Sequence, residues 1–129
     1  MIGYATVGTN DIDKARAFYD SLFGSIGAKR IMEFPSGFTM YGVSPDRPSV
    51  AVTKPYDGKT ATPGNGAMVA LVMDSREKVD ALHALALELG GSDEGLPGVR
   101  GELNGTVFYG AYFRDLDGNK FCTFCMGSA

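Results

Sequence analysis

Cys122 and Cys125 stand three residues apart in the run Lys-Phe-Cys-Thr-Phe-Cys-Met near the C-terminus. A pair at that spacing does redox chemistry when it opens a helix and one thiol is acidified. Here Phe121, Thr123 and Phe124 favour a strand. Strand residues three apart point to opposite faces, so the expectation is two buried free thiols and no disulfide. The turn just upstream, Asp115-Leu-Asp-Gly-Asn119, alternates oxygen donors as a calcium loop does. An EF-hand needs glycine at its sixth and glutamate at its twelfth position, where this chain has Lys120 and Met126. The stretch therefore reads as a hairpin turn, with Gly118 supplying a positive φ. His83 is the single histidine and falls mid-helix beside an apolar stripe, which suits a surface or boundary role and leaves a nucleophilic triad without its base. No glycine motif stands at a strand-to-helix turn; Gly8-Thr9-Asn10 is too little for a phosphate cradle. Lys54, ahead of Pro55, reads as a solvated strand-end lysine.

Composition narrows the classes of partner. A chain of 129 residues with 44% hydrophobic content supports one globular domain with a real core. Fifteen acidic against 12 basic residues give a formal charge of −3, and no basic run could track a phosphate backbone, which argues against nucleic acid. No window approaches the length of a membrane span, and the N-terminus lacks a basic region followed by an apolar stretch. The expectation is a soluble, cytoplasmic protein.

The elements that must position these side chains come in two copies. Ile12, Ala15, Tyr19, Leu22 and Ile26 recur at helical spacing, as do Val79, Leu82, Ala86 and Leu89. Asn10 and Asp11 precede the first stripe, and Asp74 with Glu77 three residues later forms a capping-box pattern ahead of the second. Gly27 and Gly90 close the two helices, so an offset of 63 superposes both ends. Strand-like runs lie at Tyr4–Val7, Lys29–Phe34, Phe38–Val43 and Ser49–Thr53, and again at Ala67–Met73, Val107–Arg114 and Lys120–Met126, with an irregular edge segment at Ser92–Gly101. In the final hairpins an offset of 71 places Tyr41 on Tyr112, Asp46 on Asp117 and Ala51 on Cys122. The chain reads as one β-α-β-β-β motif written twice, residues 1–54 and 67–126, joined by a proline- and glycine-rich linker at 55–66.

Two such modules, with Asp-Ile-Asp-Lys-Ala-Arg-Ala-Phe-Tyr opening the first helix and Asp-Leu-Asp-Gly-Asn in the last turn, resemble the vicinal oxygen chelate superfamily of glyoxalase I, bleomycin-resistance proteins and extradiol dioxygenases. The resemblance covers nearly the whole chain. It implies an α+β fold of two tandem βαβββ modules, each curling its sheet into an open half-barrel with the helix outside and a ligand cleft inside. It also implies a divalent metal held from the first and last strand of each module. Those positions are here Tyr4, Ala67 (or Met68 with a slip of one), Ala51 and Cys122. None is His, Asp or Glu, and a divalent transition metal wants three or four nitrogen, oxygen or thiolate donors. No metal or other cofactor is therefore expected.

Strand alternation within that fold aims Tyr4, Thr6, Tyr41, Thr53, Tyr112, Arg114 and Cys122 at the concave sheet face. Phenols, hydroxyls and a guanidinium suit a planar or anionic small molecule, with Arg114 as its anchor. The same tyrosines would equally close the sheet against a partner subunit, and a homodimer is expected because open sheets leave edges to cover. Three readings stand at this stage: a metal-free small-molecule binder, a metal-dependent lyase or isomerase of the glyoxalase type, and an interaction module without ligand.

Overall fold

A computed structural model describes residues 1–128 and divides the chain after Asn65 into two compact units. The first carries β1 (Tyr4–Gly8), α1 (Ile12–Gly24), β2 (Lys29–Glu33), β3 (Thr39–Gly42) and β4 (Ser49–Thr53). Its sheet runs β1-β4-β3-β2, with β1 and β4 parallel and the other pairs antiparallel. The second repeats this with β5 (Val69–Val72), α2 (Arg76–Glu88), β6 (Ser92–Leu103), β7 (Thr106–Arg114) and β8 (Lys120–Ser128), in the order β5-β8-β7-β6. The fold is α+β, two tandem βαβββ modules with open sheets.

Each helix forms where a cap, an apolar face and a glycine stop agree. At α1 the Asp11 carboxylate accepts from the Lys14 backbone N–H at 3.1 Å, satisfying one of the first-turn donors that no carbonyl can reach. Ala15, Phe18, Tyr19, Leu22 and Phe23 are buried beneath it, each large side chain contributing roughly 1.5–3 kcal/mol. Gly27 (φ 84°) turns the chain back, and Ala28 N–H closes on the Phe23 carbonyl at 3.0 Å. Ile26 lies beyond the helix and is exposed. In α2 the buried face is Val79, Leu82, His83 and Ala86.

The α2 cap corrects the sequence expectation. Ser75, not Asp74, is the N-cap, its hydroxyl accepting from Lys78 N–H at 3.2 Å. Asp74 lies one residue outside and pairs with the Lys78 ammonium at 2.9 Å. The helix starts are therefore offset by 64 while Gly27 and Gly90 keep 63, because the turn closing α1 is one residue longer. The strand pairing agrees: Thr6 lies beside Ala51 as Ala70 lies beside Cys122, which makes Met68 the counterpart of Tyr4.

Candidate functional site

In the second unit α2 marks one sheet face unambiguously. The Tyr109 hydroxyl donates to Asp80 of α2 at 2.7 Å, and the Arg76 guanidinium lies 4.8 Å from the Tyr109 ring centre. Phe113 stacks on its cross-strand partner Phe121 on the same side, at 5.4 Å and 5°. Alternation sends the even-numbered side chains of β7 and β8 to the other face. There Tyr112 lies opposite Cys122, Arg114 opposite Lys120, and Phe108 stacks on Phe124 at 5.0 Å and 9°. Cys125 lies opposite Tyr109 on the helix side, so the two buried thiols are on opposite faces and both are free.

This second face has an apolar end and a cationic end. Phe108 and Phe124 form the apolar end, and Gly110 makes room for it, since a Cβ there would meet the Phe108 ring at 2.7 Å. At the other end the Arg100 guanidinium carbon and the Lys120 ammonium each lie 5.5 Å from the Tyr112 ring centre, a distance at which the ring quadrupole attracts a cation. Arg100 is held by the Leu96 carbonyl, to which its Nη2 donates. Gly95 and Gly98 lie against it: a Cβ at Gly95 would meet Tyr112 at 2.9 Å and Arg100 at 3.2 Å, and one at Gly98 would meet Arg100 at 3.0 Å. Burial pushes the Cys122 thiol above its ordinary range, against the smaller downward pull of the Tyr112 hydrogen bond and the two cations. Burial likewise raises Tyr112, with Cys122 adding to the effect. Both groups therefore stay protonated at neutral pH.

Arg114 lies on the expected face but is engaged within the protein. Its Nε donates to Glu94 at 2.6 Å and its Nη1 to the Gly118 carbonyl at 2.9 Å. That second bond ties it to the Asp115–Asn119 hairpin turn, where the Asp115 carboxylate accepts from Asp117 N–H (2.9 Å) and Asn119 N–H (2.8 Å) and Gly118 takes φ 87°. The guanidinium fork is largely occupied within the protein.

In the first unit Tyr4, Thr6 and Thr53 share the sheet face turned away from α1, together with Met40 and Ala51. Tyr4 is half exposed and meets Phe38 edge-on at 5.8 Å; Thr53 donates to the Lys54 carbonyl at 3.1 Å. Tyr41 does not belong to this set. It is buried beneath α1, tilted against Tyr19 and Phe23, and its hydroxyl donates to Asp20 at 2.8 Å with the Arg16 carbonyl at 3.2 Å. The strand pairing gives the reason. Met40 pairs with Ala51 as Tyr112 pairs with Cys122, so the true offset in these strands is 72. The Val43–Pro48 turn is one residue longer than its counterpart, and a one-residue slip in register moves a side chain to the other face. Tyr41 corresponds to Phe113, a helix-side core residue.

His83 also departs from expectation: it is 3% exposed, with Nε2 3.0 Å from Asp93 Oδ1, and Asp93 accepts in addition from Gly95 N–H at 2.9 Å. The dyad fastens the start of β6 to α2. Arg100 and Lys120 are the residues that sequence reasoning missed. The signal was present in Gly95-Leu-Pro-Gly98-Val-Arg100, where two glycines stand shortly before a cation. It needed the register of β6, which shifts three times against β7.

The four positions at which the resemblance places metal ligands carry Tyr4, Met68, Ala51 and Cys122. A thioether, a methyl, a phenol and a buried protonated thiol do not make a divalent-metal donor set. Among the described residues, no three of His, Cys, Asp or Glu cluster in a way that could hold a metal ion elsewhere. No helix among them is long and apolar enough to cross a membrane.

Over residues 1–123 the chain matches the family model of the Glyoxalase/Bleomycin resistance protein/Dioxygenase superfamily. It is similar to the crystal structure of a glyoxalase/bleomycin resistance protein from Albidiferax ferrireducens T118, with 36% identity, a TM-score of 0.85, and coverage of 97% of this chain and 98% of that one. A glyoxalase/bleomycin resistance protein/dioxygenase family enzyme from Burkholderia phytofirmans PsJN shares the fold at 21% identity and TM-score 0.73, covering 95% and 96%. Lactoylglutathione lyase from Agrobacterium tumefaciens does so at 19% and 0.65, covering 97% and 92%. No curated protein matches the chain.

Proposed function

The chain belongs to the glyoxalase/bleomycin resistance protein/dioxygenase superfamily, and from that premise we propose that it binds a small organic anion, without a metal, on the β7–β8 face turned away from α2. One observation carries the reading: Arg100 and Lys120 each lie 5.5 Å from the Tyr112 ring centre, and neither is ion-paired to a carboxylate among the described residues. An anion bound at this end of the face gains charge-assisted hydrogen bonds from cations that carry no carboxylate partner of their own. The adjoining Phe108–Phe124 stack offers an apolar bed for the rest of the molecule. Recognition is favoured over turnover because the Cys122 thiol and Tyr112 phenol are held protonated, so neither is prepared as nucleophile or base.

The test is calorimetric titration with benzoate, run with and without chelator and beside an elemental analysis for bound metal. Binding that survives chelator and weakens by about tenfold in Arg100→Met supports the reading, since one charge-assisted bond contributes about 1.5–3 kcal/mol. Tyr109→Phe, on the opposite face, leaves it unchanged. One equivalent of metal required for binding would instead support a glyoxalase-type enzyme. Undiminished binding in Arg100→Met would remove the site from this face.

A further inference from the structure

We infer that the ligand carries two anionic groups, a small dicarboxylate or an equivalent dianion; this rests on the anion-binding reading above. Arg100, Arg114 and Lys120 all serve the same stretch of sheet, and Glu94 is the only carboxylate ion-paired to any of them among the described residues. Glu94 neutralises Arg114. Asp93, which Arg100 feels at longer range, is turned toward His83 and the Gly95 N–H. Two cations are left over, on a chain whose total formal charge is −3.

The two surplus cations come from different strands and have different chemistry. Arg100 is an edge-strand guanidinium bonded to the Leu96 carbonyl beside Gly95 and Gly98, and it presents a planar fork suited to a carboxylate. Lys120 opens β8 and presents a compact ammonium on a flexible stem, able to follow a second acid group over a range of spacings. A single carboxylate satisfies one of them and leaves the other beside Tyr112 without a counter-charge. A second acid group on the same molecule binds that remaining charge without a second loss of translational freedom.

The test compares benzoate with phthalate, isophthalate and terephthalate by calorimetry at low and at physiological salt. At least one diacid is expected to bind about tenfold tighter than benzoate, with a visibly steeper loss of affinity as salt rises. The diacid advantage is expected to shrink below about threefold in Lys120→Met, while benzoate is affected less. Benzoate binding as tightly as every diacid would overturn this inference and leave the anion reading standing, as would a diacid advantage that persists in Lys120→Met. Failure of all four compounds to bind would overturn both.

Discussion

Replacing Tyr41 by Phe removes a single oxygen, and its consequence depends entirely on which face of the first sheet the ring occupies. The hydroxyl donates to Asp20 at 2.8 Å from a residue 3% exposed. A hydrogen bond to a charged acceptor contributes about 1.5–3 kcal/mol when buried. Asp20, however, keeps two bonds from Arg30, at 2.9 and 2.8 Å, and its side chain is 45% exposed, so water can replace part of what is lost. The expected destabilisation is therefore about 1–1.5 kcal/mol. The ring contacts with Tyr19 and Phe23 are retained, so no cavity term is added. Urea unfolding should show a lower midpoint at unchanged slope, and benzoate affinity should not move. An unchanged midpoint would refute the assignment of the Tyr41 hydroxyl to the core beneath α1.

Thr123 is fully buried on the helix side of β8 with an unbonded hydroxyl. Thr123→Val, which keeps the shape and removes the orphaned group, is expected to stabilise by about 1 kcal/mol, measured by the same unfolding curves. The hydrogen bonds from Arg30 hold the Asp20 carboxyl below its ordinary value. The folded state therefore takes up that proton less readily than the unfolded chain, so the contribution of Asp20 is complete above about pH 4 and is lost as pH falls through its lowered pKa. A stability profile through the acid range should be flatter in Asp20→Asn. The two cysteines are buried and free; both should titrate with a thiol reagent only after unfolding, and mass spectrometry of unreduced protein should find no disulfide.

Local sequence alone determined the double module, because helix stripes, caps, glycine stops and strand-length apolar runs are short-range signals that need no partner to be read. Ser49–Thr53 was legible to the residue, and so was the Asp115–Asn119 turn, since its glycine and its side-chain-to-backbone bonds lie within five residues. The opposite facing of Cys122 and Cys125 also followed, because alternation along one strand is intrinsic to the strand. What required the tertiary structure was register between strands. A turn one residue longer in the first module moved Tyr41 from the expected face to the core, and the matching slip at the helix start replaced Asp74 by Ser75 as the cap. Arg100 was hidden for the same reason: β6 pairs irregularly with β7, so no alternation rule could say where its guanidinium would lie. His83 looked peripheral beside the apolar stripe, yet it is buried with Val79, Leu82 and Ala86 of α2, where Asp93 from β6 lies within hydrogen-bond reach of it. Periodicity is a property of the chain, but pairing is a property of the sheet, and the cationic face around Tyr112 is made by pairing.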